Sequence, residues 1–181
     1  MWIILIVVLV LLVLYVVKTY NSLVVSRNKV RDQFSQIDVQ LKKRFDLIPN
    51  LVETVKGYAK HESETLESVI KARNNYANAK TDAEKLEASK DMSRGVMNIM
   101  ALAESYPDLK ANTNFVDLQN QLKDVEEKIS YARQFYNDSV LMYNNKVEMV
   151  PSNIVASIFG FKKESFFEAD EKERENVKVK F

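Results

Sequence analysis

The chain has no cysteine, one histidine, one tryptophan, three glycines and three prolines in 181 residues. Without cysteine there is no disulfide, no thiolate nucleophile and no thiolate-based zinc site. So little glycine and proline favours long helices with short connections over sheet. The single histidine, His61, removes the usual metal signatures. A metalloprotease helix needs a second His four residues on, where Thr65 stands, and a di-iron bundle needs a Glu three residues before, where Tyr58 stands. A transition-metal site would have to rest mainly on carboxylates, against the ligand preferences of those ions. His61 therefore reads as a surface or capping residue at an interhelix turn. An excess of one charge sign is missing too: 26 Lys and Arg against 25 Asp and Glu give +1, and a nucleic-acid footprint would need a net basic domain or stripe. No catalytic constellation and no cofactor motif emerges, so the expectation is a protein that is not an enzyme.

What the chain does have is an uninterrupted apolar run, Met1 to Val17, without charge, Gly or Pro. From Trp2 to Tyr20 a helix covers ~27 Å, close to the ~30 Å hydrocarbon core of a bilayer. Trp2 stands at one end and Tyr15 and Tyr20 near the other, where aromatic rings prefer the headgroup level, and Lys18 can reach outward. A cleaved signal would need a basic flank before the apolar core and a small-residue cleavage site after it, and neither is present. Residues 1–20 are thus expected to be a retained transmembrane anchor. All the charged residues follow the apolar run Met1 to Val17, with Lys18, Arg27, Lys29 and Arg31 preceding the first acid, Asp32. That asymmetry predicts a single-pass protein with its N-terminus outside and its body in the cytoplasm.

Beyond the anchor the pattern is helical throughout, giving an all-α fold. Val30, Phe34, Ile37, Leu41, Ile48, Leu51, Val55 and Tyr58 follow three- and four-residue steps, so a helix is expected over about 21–59, bent near Pro49. A weaker helix over 62–79 carries Leu66, Ile70 and Ala77. Thr81-Asp82-Ala83-Glu84 is a capping box that opens a third, 82–105, with Leu86, Val96, Ile99, Met100 and Leu102. The clearest runs over 113–150, with Phe115, Leu118, Leu122, Val125, Ile129 and Tyr136 in step. Counted from Lys18 to Ala59 the first helix would be ~63 Å long, the last ~57 Å and the middle two ~27 and ~36 Å, so the expected body is an elongated, antiparallel, up-down four-helix bundle. An apolar tail over 151–167 then returns to the membrane side, and 168–181, charged without an apolar face, is expected to be disordered.

Three sets of residues carry specific expectations. Arg44 falls in the apolar rhythm between Leu41 and Ile48. If it stays there it needs a partner, for which Glu127 and Asp91 are the candidates. The favoured alternative is that Phe45 fills the seam while Arg44 reaches solvent. Glu104 ends the third helix, where the helix dipole disfavours an acid, so it should pair across the tip with Lys56, Lys60 or His61. In the tail, Ile154, Ile158, Phe159 and Phe161 with Lys162 and Lys163 could lie on the lipid bilayer, form an oligomer contact, or pack on the base of the body.

Several stretches resemble the LemA family: Arg27-Asn28-Lys29-Val30, Ser35 to Leu41, Arg44 with Asp46 to Ala59, His61-Glu62, Glu104 to Asn112, Tyr136-Asn137, and Pro151-Ser152-Asn153 up to Phe159-Gly160-Phe161. The resemblance implies an N-terminally anchored bacterial membrane protein with an elongated four-helix body and no established enzymatic activity. It also implies two leads. A related branch is associated with formation of magnetosome membranes, and members are often encoded beside an HtpX-type membrane zinc metalloprotease. The functional expectation is a membrane scaffold that forms homo-oligomers and organises the inner membrane or its proteins, with an adaptor for such a protease as the alternative.

Overall fold

The computed structural model describes residues 1–167; the charged stretch 168–181, and with it the expectation of disorder there, lies outside the described residues. Among the described residues there are six helices and no strand: α1 (Trp2–Lys56), α2 (Ser63–Asn78), α3 (Asp82–Ala103), α4 (Pro107–Lys110), α5 (Thr113–Glu148) and α6 (Ser152–Ile158). They fall into two compact units. The first takes residues 1–37 and 131–167, and the second takes 38–130.

In the first unit, α1 starts in the apolar run, whose side chains are exposed, and continues without a break into the charged part of the chain. Its core residues are Leu23, Val30, Phe34 and Ile37, spaced seven, four and three, and all are buried. Tyr136, Val140 and Tyr143 of α5 and Val155 and Ala156 of α6 are buried with them, and the Phe34 and Tyr136 rings meet edge to face at 6.0 Å. Lys146 of α5 donates to Ser22 Oγ at 2.8 Å and Ser26 Oγ at 2.6 Å on α1.

In the second unit, Pro49 lies inside α1 yet the helix runs on to Lys56. Proline has no N–H, so the carbonyl of Phe45, four residues earlier, loses its helical donor. Arg73 of α2 replaces it: Nε donates to Phe45 O at 3.2 Å, and the guanidinium lies over the Phe45 ring at 3.8 Å. α3 opens on the capping box that the sequence spells. Glu84 N donates to Thr81 Oγ1, while Glu84 Oε2 accepts from the amides of Thr81 and Lys80, which holds the Glu84 carboxyl below its ordinary range. Asn112 caps α5, its Oδ1 accepting from Phe115 N at 3.0 Å.

The middle helices bury Leu66 and Ile99, as periodicity selects, but otherwise pack on different residues. α2 buries Leu66, Val69, Ala72 and Tyr76, while Ile70 is exposed. α3 buries Ala88, Ser89, Met92, Gly95, Ile99 and Ala103, mostly small. The cause is close approach: a Cβ on Gly95 would stand 2.9 Å from Val69 Cγ2 and 3.3 Å from Val69 Cα. Only small residues fit such a contact, so Leu86, Val96, Met100 and Leu102 flank it. α3 ends at Ala103, two residues short of the expected bound, and Pro107 opens the single turn α4.

Candidate functional site

The described residues offer no group of three or more His, Cys, Asp or Glu placed to hold a metal ion. The most specific polar construction lies in the first unit, after α6. Gly160, at φ 69°, ends that helix: Gly160 N donates to Ser157 O and Phe161 N donates to Ala156 O at 2.9 Å, the paired bonds of a Schellman cap. The chain then runs without helix over residues 161–167 along α5. Tyr143 Oη donates to Lys162 O, and Tyr136 Oη to Ser165 O. Asn144 takes both backbone groups of Glu164, donating through Nδ2 to its carbonyl (2.9 Å) and accepting from its amide through Oδ1 (3.0 Å). Asn137 does the same with Phe167, at 3.0 and 2.8 Å.

The register has a simple cause. Seven residues of helix rise ~10.5 Å and three residues of extended chain ~10 Å, so a Tyr-Asn pair repeated every heptad meets every third residue of the segment. Phe161 and Phe167 are the buried anchors at its two ends. Arg27 lies over the Phe161 ring at 4.9 Å and Arg133 over the Phe167 ring at 4.2 Å. Tyr136-Asn137 is among the family-like stretches of the sequence, and its repeat, Tyr143-Asn144, follows one heptad on. That repeat, with the Phe-Gly-Phe turn, is the signal that could have found the segment. Burial, and then the nearby Glu164 carboxylate, push the Tyr143 phenol above its ordinary range, while Arg27 and Arg31 oppose the shift.

Trp2, Tyr15, Lys18 and Tyr20 lie along α1, Trp2 and Lys18 exposed. The Tyr20 ring meets Phe159 at 4.8 Å and Phe161 at 5.6 Å, which sets the end of α6 beside the end of the apolar run. The tail residues divide. Phe161 is buried, Ile154, Ile158 and Phe159 are exposed, and Lys163 pairs with Glu148. Lys162 contributes its carbonyl to Tyr143.

The ion-pair expectations change in the second unit. Arg44 stays in the apolar seam at 1% exposure and does not reach solvent, while Phe45 sits on the flank against Arg73 and Tyr76. Its carboxylate partner is Glu126, not Glu127 or Asp91, and its Nη1 also reaches Ser93 Oγ at 2.7 Å and Ser89 O at 3.4 Å. One residue turns a helix by ~100°, and Glu127 is exposed on another face of α5. Asp91 instead pairs with Arg94 three residues on. Glu104 pairs with Lys110 rather than Lys56, Lys60 or His61. The turn at α4 brings that lysine back within reach, and Lys56 is exposed. At the same turns Tyr106 Oη donates to Glu62 and Asn112 Nδ2 to Tyr58 Oη.

Among the described residues these features define an all-helical protein with one helix, near the N-terminus, long and apolar enough to cross a bilayer. A model of the LemA family matches residues 33–181, and the chain belongs to that family, whose members are not known enzymes. It is 28% identical over 160 residues to Protein LemA of Metamycoplasma hominis, covering 87% of this chain and 72% of that protein. It is 30% identical over 70 residues to Magnetosome protein MamQ 2 of Paramagnetospirillum magneticum (39% of this chain, 26% of the relative). A further 30% match, over 69 residues, is to Magnetosome protein MamQ of Magnetospirillum gryphiswaldense (38% of this chain, 25% of the relative). The chain thus matches about a quarter of each magnetosome protein's length.

Proposed function

We propose that this protein is a non-enzymatic scaffold of the bacterial inner membrane that self-associates and organises or shapes the membrane, or proteins within it. In this reading residues 1–20 are the anchor, 21–150 an antiparallel four-helix body and 151–167 a tail at the membrane side. The basic flank after the anchor puts the body in the cytoplasm.

The observation that carries the reading is a second apolar stripe on α5, separate from the buried one. Tyr131, Phe135 and Met142 follow steps of four and seven and are 48 to 64% exposed. Such spacing is the seam of a helix that packs on another helix. A second copy anchored in the same bilayer presents the same stripe in the same orientation. Asp138 lies within it, so a parallel pairing sets two carboxylates face to face and each contact is weak. Confinement to two dimensions raises the effective concentration at which weak contacts add up. The likeness to proteins named for the magnetosome supports a membrane-organising role.

Crosslinking and size analysis of the full chain in detergent test this. Homo-oligomers that are lost on Phe135→Ser with Met142→Ser support it. A monodisperse monomer overturns it, and co-purification of a membrane metalloprotease in place of further copies favours the adaptor alternative.

A further inference from the structure

The thirteen residues from Met149 to Phe161 contain no charge. α6 divides them sharply. Val155 and Ala156 face inward and are buried, whereas Ile154 and Ile158, one turn apart on the opposite side, are exposed, Ile158 at 72%. Met149 and Val150 just before the helix and Phe159 just after it are exposed as well. A patch of Ile, Val, Met and Phe is costly to leave in water, and patches of this kind mark contact surfaces.

Its position selects the contact. Phe159 packs on Tyr20, where α1 leaves its apolar run, so the patch lies at the depth at which a spanning helix passes the headgroups. Basic side chains border it without entering it: Lys146 is held by Ser22 and Ser26, Arg27 lies over Phe161, and Lys162 and Lys163 follow the turn, Lys163 paired with Glu148. An apolar face flanked by lysine and arginine is the composition of helices that lie in the plane of a membrane interface. The Schellman turn and the clamped segment after it hold α6 in this place.

We infer that α6 and its two flanking turns are a second membrane contact, with Ile154, Ile158 and Phe159 inserted at the boundary between headgroups and acyl chains of the bilayer that α1 spans. This rests on the reading of residues 1–20 as a bilayer span. The contact ties the body to the membrane at two points and so limits its tilt and rotation about the anchor.

The absence of cysteine makes the test direct. Full chains carrying a single Ile154→Cys, Ile158→Cys, Leu11→Cys or Met97→Cys substitution are labelled with an environment-sensitive fluorophore and placed in phosphatidylcholine and phosphatidylglycerol nanodiscs containing lipids with a nitroxide at the 5-position. Met97 is an exposed apolar residue of α3 and serves as the aqueous reference. Quenching at 154 and 158 at least threefold that at 97, with an emission blue shift, is the expected result. Quenching equal to that at 97 overturns the inference, as does shielding from iodide without lipid quenching, which would place a protein surface on the patch. The label at Leu11 separates the two readings: if it is quenched while 154 and 158 are not, the span stands and the α6 contact falls.

Discussion

Pro49 costs α1 a backbone hydrogen bond, and a side chain from another helix compensates for it. Arg73 both donates to the freed Phe45 carbonyl and stacks on the Phe45 ring, so the two positions should be coupled energetically. In the native background Arg73→Ala is expected to cost ~1–3 kcal/mol, because the carbonyl is left unpaired in a partly buried place. In a Pro49→Ala background residue 49 regains its N–H and supplies the donor itself, so Arg73→Ala should then cost only the stacking, ~0.5–1 kcal/mol. Thermal melts of the four chains in detergent read the difference, and equal costs in both backgrounds would remove the account. Arg44 shows the same principle with a charge. A guanidinium in an apolar seam persists because Glu126, Ser93 and Ser89 engage it, and these partners sit on two other helices.

Among the elements, the segment 161–167 is the one whose structure depends most on its neighbour, since nothing helical holds it. Tyr143 must be protonated to donate to Lys162 O. Its folded pKa is raised above the ordinary phenol value of ~10, so the stabilisation it brings is full below ~pH 10 and is lost as pH rises through the folded pKa. Tyr143→Phe should therefore be less stable than the native chain by ~1 kcal/mol near neutral pH, the typical worth of one hydrogen bond. The gap should narrow as pH rises above ~10, because phenylalanine has no proton to lose. Melting temperatures followed by circular dichroism from pH 8 to pH 11 measure this, and a pH-independent gap would mean that the phenol does not titrate there.

At the scale of the whole molecule, the proposed scaffold makes two demands. If the α5 stripe joins copies in parallel, removing its negative charge should strengthen the joint, so Asp138→Asn is expected to shift the full chain toward larger oligomers at equal protein-to-detergent ratio. A shift the other way would argue that the stripe faces something other than its own copy. If the body is cytoplasmic, a single cysteine at Ser157, which is exposed, should resist an impermeant maleimide added to intact cells and react once they are opened. Strong labelling in intact cells would reverse the topology.

The sequence alone was enough for the all-helical character of the described residues, the one helix among them long and apolar enough to cross a bilayer, and the Thr81–Glu84 capping box, because each depends on residues within a turn or two of one another. An apolar run needs no partner to be apolar, and a cap is closed by its own helix. It was also enough to mark Arg44 as anomalous. Only the tertiary structure decided that Arg44 stays inside with Glu126 and that α3 packs through Gly95 and other small residues. It also decided that the repeated Tyr-Asn pairs of α5 grip residues 162–167. Those outcomes depend on which faces of separate helices meet, and a one-residue change of register moves a side chain ~100° around its helix. Periodicity in one strand of sequence carries no record of that register. The repeat at 136–137 and 143–144 is the exception, since its heptad spacing matches three residues of extended chain, and in it the tertiary contact was already written.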